Sequence, residues 1–165
     1  MSISAYAPID DPNQLNDIRL RMLLAQWTAA AANGRLPGQD FVDPRRLGDL
    51  MGWLFLYRVE REPLRFRYLV YGPKIARRIG FDLTGKYVHD HPIEEAREAI
   101  GGLLTAVATT GRPHRGESKR VMLDQEMTTE AVVLPLGSAT GVVDHLLALQ
   151  IYEMPNDTVS PGARG

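Results

Sequence analysis

The sequence predicts an α+β fold: one antiparallel sheet of five strands with crossover helices on one face and an amphipathic helix leading into it. Three observations predict it. Alternating apolar residues mark two strands between Trp53 and Tyr71, the best helical pattern follows between Pro92 and Gly111, and three more strand-like runs fill the chain from Arg115 to Tyr152. Two hairpin regions separated by helices pair into a single sheet, which the helices between them must cross.

The elements justify themselves in order. From Asn13 to Asn33 the residues Leu20, Leu23, Leu24, Trp27 and Ala31 recur at helical spacing, with Leu15, Ile18 and Met22 as a second apolar row; Asn33-Gly34 then supplies a stop. Asp43-Pro44 reads as an N-cap followed by proline at the first helical position, predicting a short helix over Arg45 to Met51. Trp53, Phe55, Tyr57 and Val59 alternate with their neighbours, as do Phe66, Tyr68 and Val70 beyond the Arg61-Glu62-Pro63 turn. Lys74 to Ile79 fits a short helix. In the longer one Pro92 suits the first position and Gly111 the exit, with Ile93, Ala96, Ile100, Leu103, Leu104 and Val107 as its buried stripe. The last three strands are expected over Arg115 to Leu123, Thr128 to Leu136 and Val142 to Tyr152, with turns at Asp124-Gln125-Glu126 and Gly137 to Gly141. The domain organisation is a flexible N-terminus over 1–12, one domain over 13–154 and a flexible tail over 155–165.

Composition excludes several classes of function. The chain has 165 residues, enough for one domain with its own core, and a net charge of −1, which favours neither nucleic acid nor acidic membranes. Absence of cysteine removes disulfides, thiolate metal sites and cysteine nucleophiles. No charged start precedes an apolar stretch and no apolar run approaches membrane-spanning length, so a cytoplasmic setting is expected.

Local motifs add a resemblance. Trp27 on a helix, Pro37, Asp43-Pro44, a strand over Leu54 to Val59, and Phe66-Arg67-Tyr68-Leu69-Val70-Tyr71-Gly72 occur in that order. They are followed by Gly80-Phe81-Asp82-Leu83-Thr84-Gly85 and Leu134-Pro135-Leu136. From about Trp27 to Tyr152 this resembles the single-domain PAS proteins common in alphaproteobacteria. Pro73 departs from the pattern, where threonine is expected; it fixes a helix-compatible φ but cannot cap through a hydroxyl.

The resemblance implies a PAS-like sensory or regulatory module of bacterial signalling, acting through a small ligand, protein contacts or both, and not an enzyme. Tyr68, Phe81, Tyr87, Leu103, Val107 and Val133 are the candidate ligand contacts, against the alternative of an ordinary filled core. Leu20, Leu24 and Trp27 are the candidate interaction residues of the leading helix. Expected partners are an unidentified signalling protein, a small molecule and a second copy of the chain; no cofactor is specified.

Two other readings stay open. A small enzyme would use His89, Asp90 or His145 for acid–base chemistry, although alternation along a strand should separate Asp144 from His145. A haem or metal sensor would use His89 or His91, but the run His89-Asp90-His91 reads more simply as a helix cap plus a surface histidine. No Gly-x-Ser-x-Gly setting surrounds Ser118, Ser138 or Thr84. Gly101-Gly102 is costly inside a helix, by roughly 1 kcal/mol each, and implies close packing or room for a ligand.

Overall fold

Six strands form the sheet in the computed structural model, which describes residues 3–122, 125–138 and 141–153. They are β1 (Ile3–Pro8), β2 (Leu54–Glu60), β3 (Arg65–Tyr71), β4 (His114–Met122), β5 (Gln125–Gly137) and β6 (Val143–Glu153). The order is β1-β4-β5-β6-β2-β3, with every pairing antiparallel. The helices are α1 (Ile18–Ala30), α2 (Pro44–Leu47), α3 (Pro73–Ile79) and α4 (Glu94–Thr110). The expected tail over 155–165, Leu123 and Asp124, and residues 139 and 140 of the last turn lie outside the described residues.

The sixth strand corrects the expectation of five. Ile3–Pro8 runs along β4 from Ile3↔Lys119 to Pro8↔His114. Its small residues show little alternation because an edge strand is held largely by its backbone ladder. Tyr6 is the exception. A Cβ on Gly102 of α4 would lie 3.0 Å from the Tyr6 hydroxyl, so close packing accounts for that helix glycine.

The crossover helices α3 and α4 lie on one face of the sheet, and α1 with α2 covers the other. On the inner face Phe55, Tyr57, Phe66, Tyr68, Val133 and Leu146 pack with Ile75 of α3 and with Leu104 and Val107 of α4. On the outer face Leu54, Leu56, Val132, Leu134, Leu147 and Leu149 pack with Leu20, Leu23, Leu24 and Trp27 of α1 and with Leu47 of α2. The unbroken buried run Leu146-Leu147-Ala148-Leu149 is the mark of a strand buried on both sides.

Local chemistry sets the element ends. α1 is shorter than the expected Asn13 to Asn33 because the Asp17 side chain accepts from the N–H groups of Arg19 (2.8 Å) and Leu20 (3.4 Å) and starts the helix there. Pro12–Gln14 is a separate 3-10 turn. Asn33 and Gly34, with φ of 72° and 74°, close the exit. Asp43 caps α2 with Pro44 following, as expected. Gly72 admits no side chain, since a Cβ would lie 2.6 Å from the Gly52 carbonyl oxygen. α4 begins at Glu94, not Pro92, because Ile93 is extended (φ −101°, ψ 116°) and serves as the cap residue.

Candidate functional site

The inner face of the sheet carries an aromatic cluster. Tyr57 and Tyr68 are 4.8 Å apart between ring centres, Tyr68 and Tyr71 5.0 Å, and Phe55 and Tyr71 4.8 Å. Strict alternation would not place both Tyr68 and Tyr71 inside. A bulge does it: Tyr57 pairs with Tyr68 and Leu56 with Val70, leaving Leu69 as the extra, outward residue. Burial pushes the Tyr57 phenol well above its ordinary value, and the nearby Tyr68 phenol adds to the shift. Burial also raises Tyr68, which the hydrogen bond from Tyr57 opposes.

This cluster borders a cavity of ≈ 60 Å³, closed from the helical side by Ile79, Phe81, His91, Ala96 and Ile100. His91 is buried, its ring edge-on to Phe81 at 5.4 Å. Its Nδ1 accepts from the Ile93 N–H at 3.1 Å, which fixes the neutral tautomer with the proton on Nε2. Its carbonyl accepts from an Arg97 guanidinium N–H at 2.7 Å. The Ala96–Ile100 side of α4 also borders a second cavity of ≈ 90 Å³, bounded by Tyr6, Leu103, Gly116, Ser118 and Thr129. Ser118 and Thr129 hydrogen-bond each other through their hydroxyls.

The six candidate contacts do not converge on one cavity. Tyr68 and Phe81 line the first and Leu103 the second, whereas Val107 and Val133 are completely packed in the core. Tyr87 lies outside, bridging to Arg67 at the sheet edge and donating its hydroxyl hydrogen to Glu60 Oε1 at 3.0 Å. The sequence reading missed Tyr71, Tyr152, Gln150 and His91 as lining residues. The bulge hid Tyr71, and the sequence offers His91 as a cap or a metal or haem ligand, not as a cavity wall.

The histidines disperse. Asp90 caps the 3-10 turn Val88–Asp90 by accepting from the Tyr87 N–H, while His91 takes the N–H nearest the start of α4. His89 is exposed and stacked on Tyr87 at 5.1 Å. His145 is buried and does contact Asp144, with Nδ1 2.8 Å from Oδ1, contrary to the alternation argument. The reason is a second bulge: Leu136 pairs with His145 and Gly137 with Val143, so Asp144 is the extra residue. His89, Asp90 and His145 share no cavity, and among the described residues no group of three or more His, Asp or Glu side chains is placed to hold a metal ion.

A six-stranded antiparallel sheet with α3 and α4 across its inner face defines the class of α+β domain, and comparison places it. A profile of the PAS domain family matches residues 16–150, and the chain belongs to that family. Curated protein sequences yield no match. Among solved structures, an RNA-binding light-oxygen-voltage receptor aligns with 92% of this chain at 14% identity and TM-score 0.52; this chain spans 39% of its length. A light-oxygen-voltage domain studied with a flavin analogue aligns with 68% of this chain and 85% of its own, at 11% identity and TM-score 0.50. The PAS domain of Bordetella pertussis BvgS aligns with 60% of this chain and 73% of its own, at 14% identity and TM-score 0.41. These likenesses concern the fold. No helix among the described residues is long and apolar enough to cross a membrane.

Proposed function

We propose that this PAS domain is a sensory or regulatory module in which a small molecule acts on α4 and a protein partner reads the result. The observation that carries the reading is the pair of voids flanking Ala96 and Ile100, ≈ 60 and ≈ 90 Å³. Pockets that enclose drug- or cofactor-sized molecules measure about 300 Å³ or more, so neither void takes one unless α4 moves from the sheet. Occupancy and displacement of the helix are then one event. Tyr68 and Phe81 contact the ligand on one side of α4 and Leu103 on the other, with Val107 and Val133 behind them and Tyr87 at the outer edge.

Output runs through α1 in this reading. Leu20, Leu24 and Trp27 hold the helix on the sheet, which turns Ile18 and Met22 outward; both are more than half exposed. They offer an apolar contact to a signalling protein or a second copy of the chain. The cytoplasmic, homodimeric setting follows the resemblance to alphaproteobacterial single-domain PAS proteins.

Native mass spectrometry of the freshly purified chain, compared with its denatured mass, tests the reading. The expected result is a stoichiometric excess mass that disappears on denaturation and is absent from Ala96→Phe, which sets a bulky ring where both voids border α4. An excess mass retained by Ala96→Phe places the ligand elsewhere and overturns the assignment.

A further inference from the structure

Gly101 is unexplained by packing. Unlike Gly102, which faces Tyr6, it has nothing within 4 Å of where a Cβ would lie, yet it sits in the middle of a 17-residue helix. What it opens is a groove of ≈ 330 Å³ between α4 and the β2–β3 hairpin, away from the two voids under α4. Three elements bring cationic or ionisable nitrogen groups to that groove: Arg65 from β3, His89 from the turn before α4, and Arg97 from α4.

These groups are held in place. The Arg65 Nε donates to Glu60 Oε1 at 2.8 Å, and its guanidinium lies 4.5 Å from the centre of the Tyr87 ring, against which His89 also stacks. Arg97 is tied through one terminal N–H to the His91 carbonyl, and a guanidinium has further N–H groups to offer. Glu98 is the acid on the lining; Glu60 is engaged by Arg65 and Tyr87, and Asp90 by the Tyr87 N–H. Glu60 balances Arg65 and Asp90 lies 3.8 Å from His89, so the groove is close to neutral; what it offers an anion is the guanidinium of Arg97, bonded to a carbonyl and not to a carboxylate, beside the remaining N–H groups of Arg65. Leu64, 37% exposed, supplies an apolar wall at the hairpin end.

We propose that this groove binds a small organic anion, a phosphate monoester or carboxylate with an apolar body. Arg97 and Arg65 hold the anionic head, as guanidinium groups suit planar or tetrahedral oxyanions. The apolar body lies over Gly101 against Leu64. A side chain at 101 would occupy that space. The site is independent of the voids under α4, so its failure would leave the proposed sensory cavity untouched.

Titrating the isotopically labelled full chain with phenyl phosphate, followed by amide chemical shifts, tests this. Saturable shifts are expected at Arg97, Gly101 and His89, beyond those produced by sodium chloride at equal ionic strength. Arg65→Gln and Arg97→Gln should each weaken binding about tenfold or more, the worth of a charge-assisted hydrogen bond. Gly101→Leu should abolish it while melting no lower than the parent chain, since it replaces glycine in a helix. Shifts reproduced by salt alone, or binding that survives Gly101→Leu, overturn the proposal.

Discussion

Glu130 joins three parts of the molecule through one carboxylate. It accepts from the N–H groups of Asn16 (3.1 and 2.9 Å) and Asp17 (2.8 Å) at the entrance to α1, and from Arg115 Nε of β4 at 3.1 Å. Hydrogen bonds to charged groups each contribute roughly 1.5–3 kcal/mol when buried. Glu130→Ala should therefore destabilise the fold by about 3 kcal/mol in urea denaturation, with Glu130→Gln retaining part of the loss. The buried phenols set a different dependence. Their folded pKa values lie above the unfolded value of about 10, so the neutral forms favour the folded state. That stability is fully present below about pH 10 and is lost as pH rises beyond it; Tyr57→Phe should flatten the loss in denaturation curves taken across that range. Individual residues were unevenly legible. Asp43, Asp17's neighbour Leu20, Trp27 and Gly111 announced their roles because capping, periodicity and helix exit are local rules. Glu130 did not, because nothing in its own strand marks a residue whose partners at the entrance to α1 lie more than a hundred positions away.

At the scale of elements, the adjacent glycines of α4 separate two causes for one residue type. Gly101→Ala should raise helix stability by about 1 kcal/mol, whereas Gly102→Ala presses on Tyr6 and should give less than that gain, or a loss, with exchange of the β1 amides accelerated. α1 behaves as a docked core element. Leu24→Ala should cost about 3 kcal/mol, because Leu24 is fully buried against the sheet, while Ile18→Ser with Met22→Ser should leave stability nearly unchanged and alter only association, measured by sedimentation. The strands and long helix were readable from their periods, but β1 was not, for its ladder is backbone chemistry that any small residues satisfy. The two bulges were also invisible. Each shifts the inside–outside phase by one residue, and each shift decided a site question: Leu69 turned Tyr71 inward, and Asp144 met His145.

Across the whole molecule, a sheet clad on both faces makes two separate cores, one with α3 and α4 and one with α1 and α2. Fold class and the β2–β3 hairpin followed from local strand and turn signals, whereas the β2–β6 pairing that joins the two halves of the sheet did not; the two-sided cladding was legible only in the continuous leucines of β6. The cavities were not legible at all, because a void depends on how α4 sits over a surface, a quantity no periodicity encodes. The cladding also distributes the two tryptophans. Trp27 belongs to the outer core, its indole N–H bonded to the Pro135 carbonyl oxygen at 2.9 Å within the Leu134-Pro135-Leu136 stretch. Trp53 stands where both cores meet, 6.1 Å from Tyr152 and beneath the guanidinium of Arg78. The chain thus carries its own pair of optical reporters, in which Trp27 emission shifts to the red only when α1 leaves the sheet and Trp53 emission answers to rearrangement near Tyr152, so that Trp27→Phe and Trp53→Phe proteins would show separately, in a fluorimeter, which layer moves first.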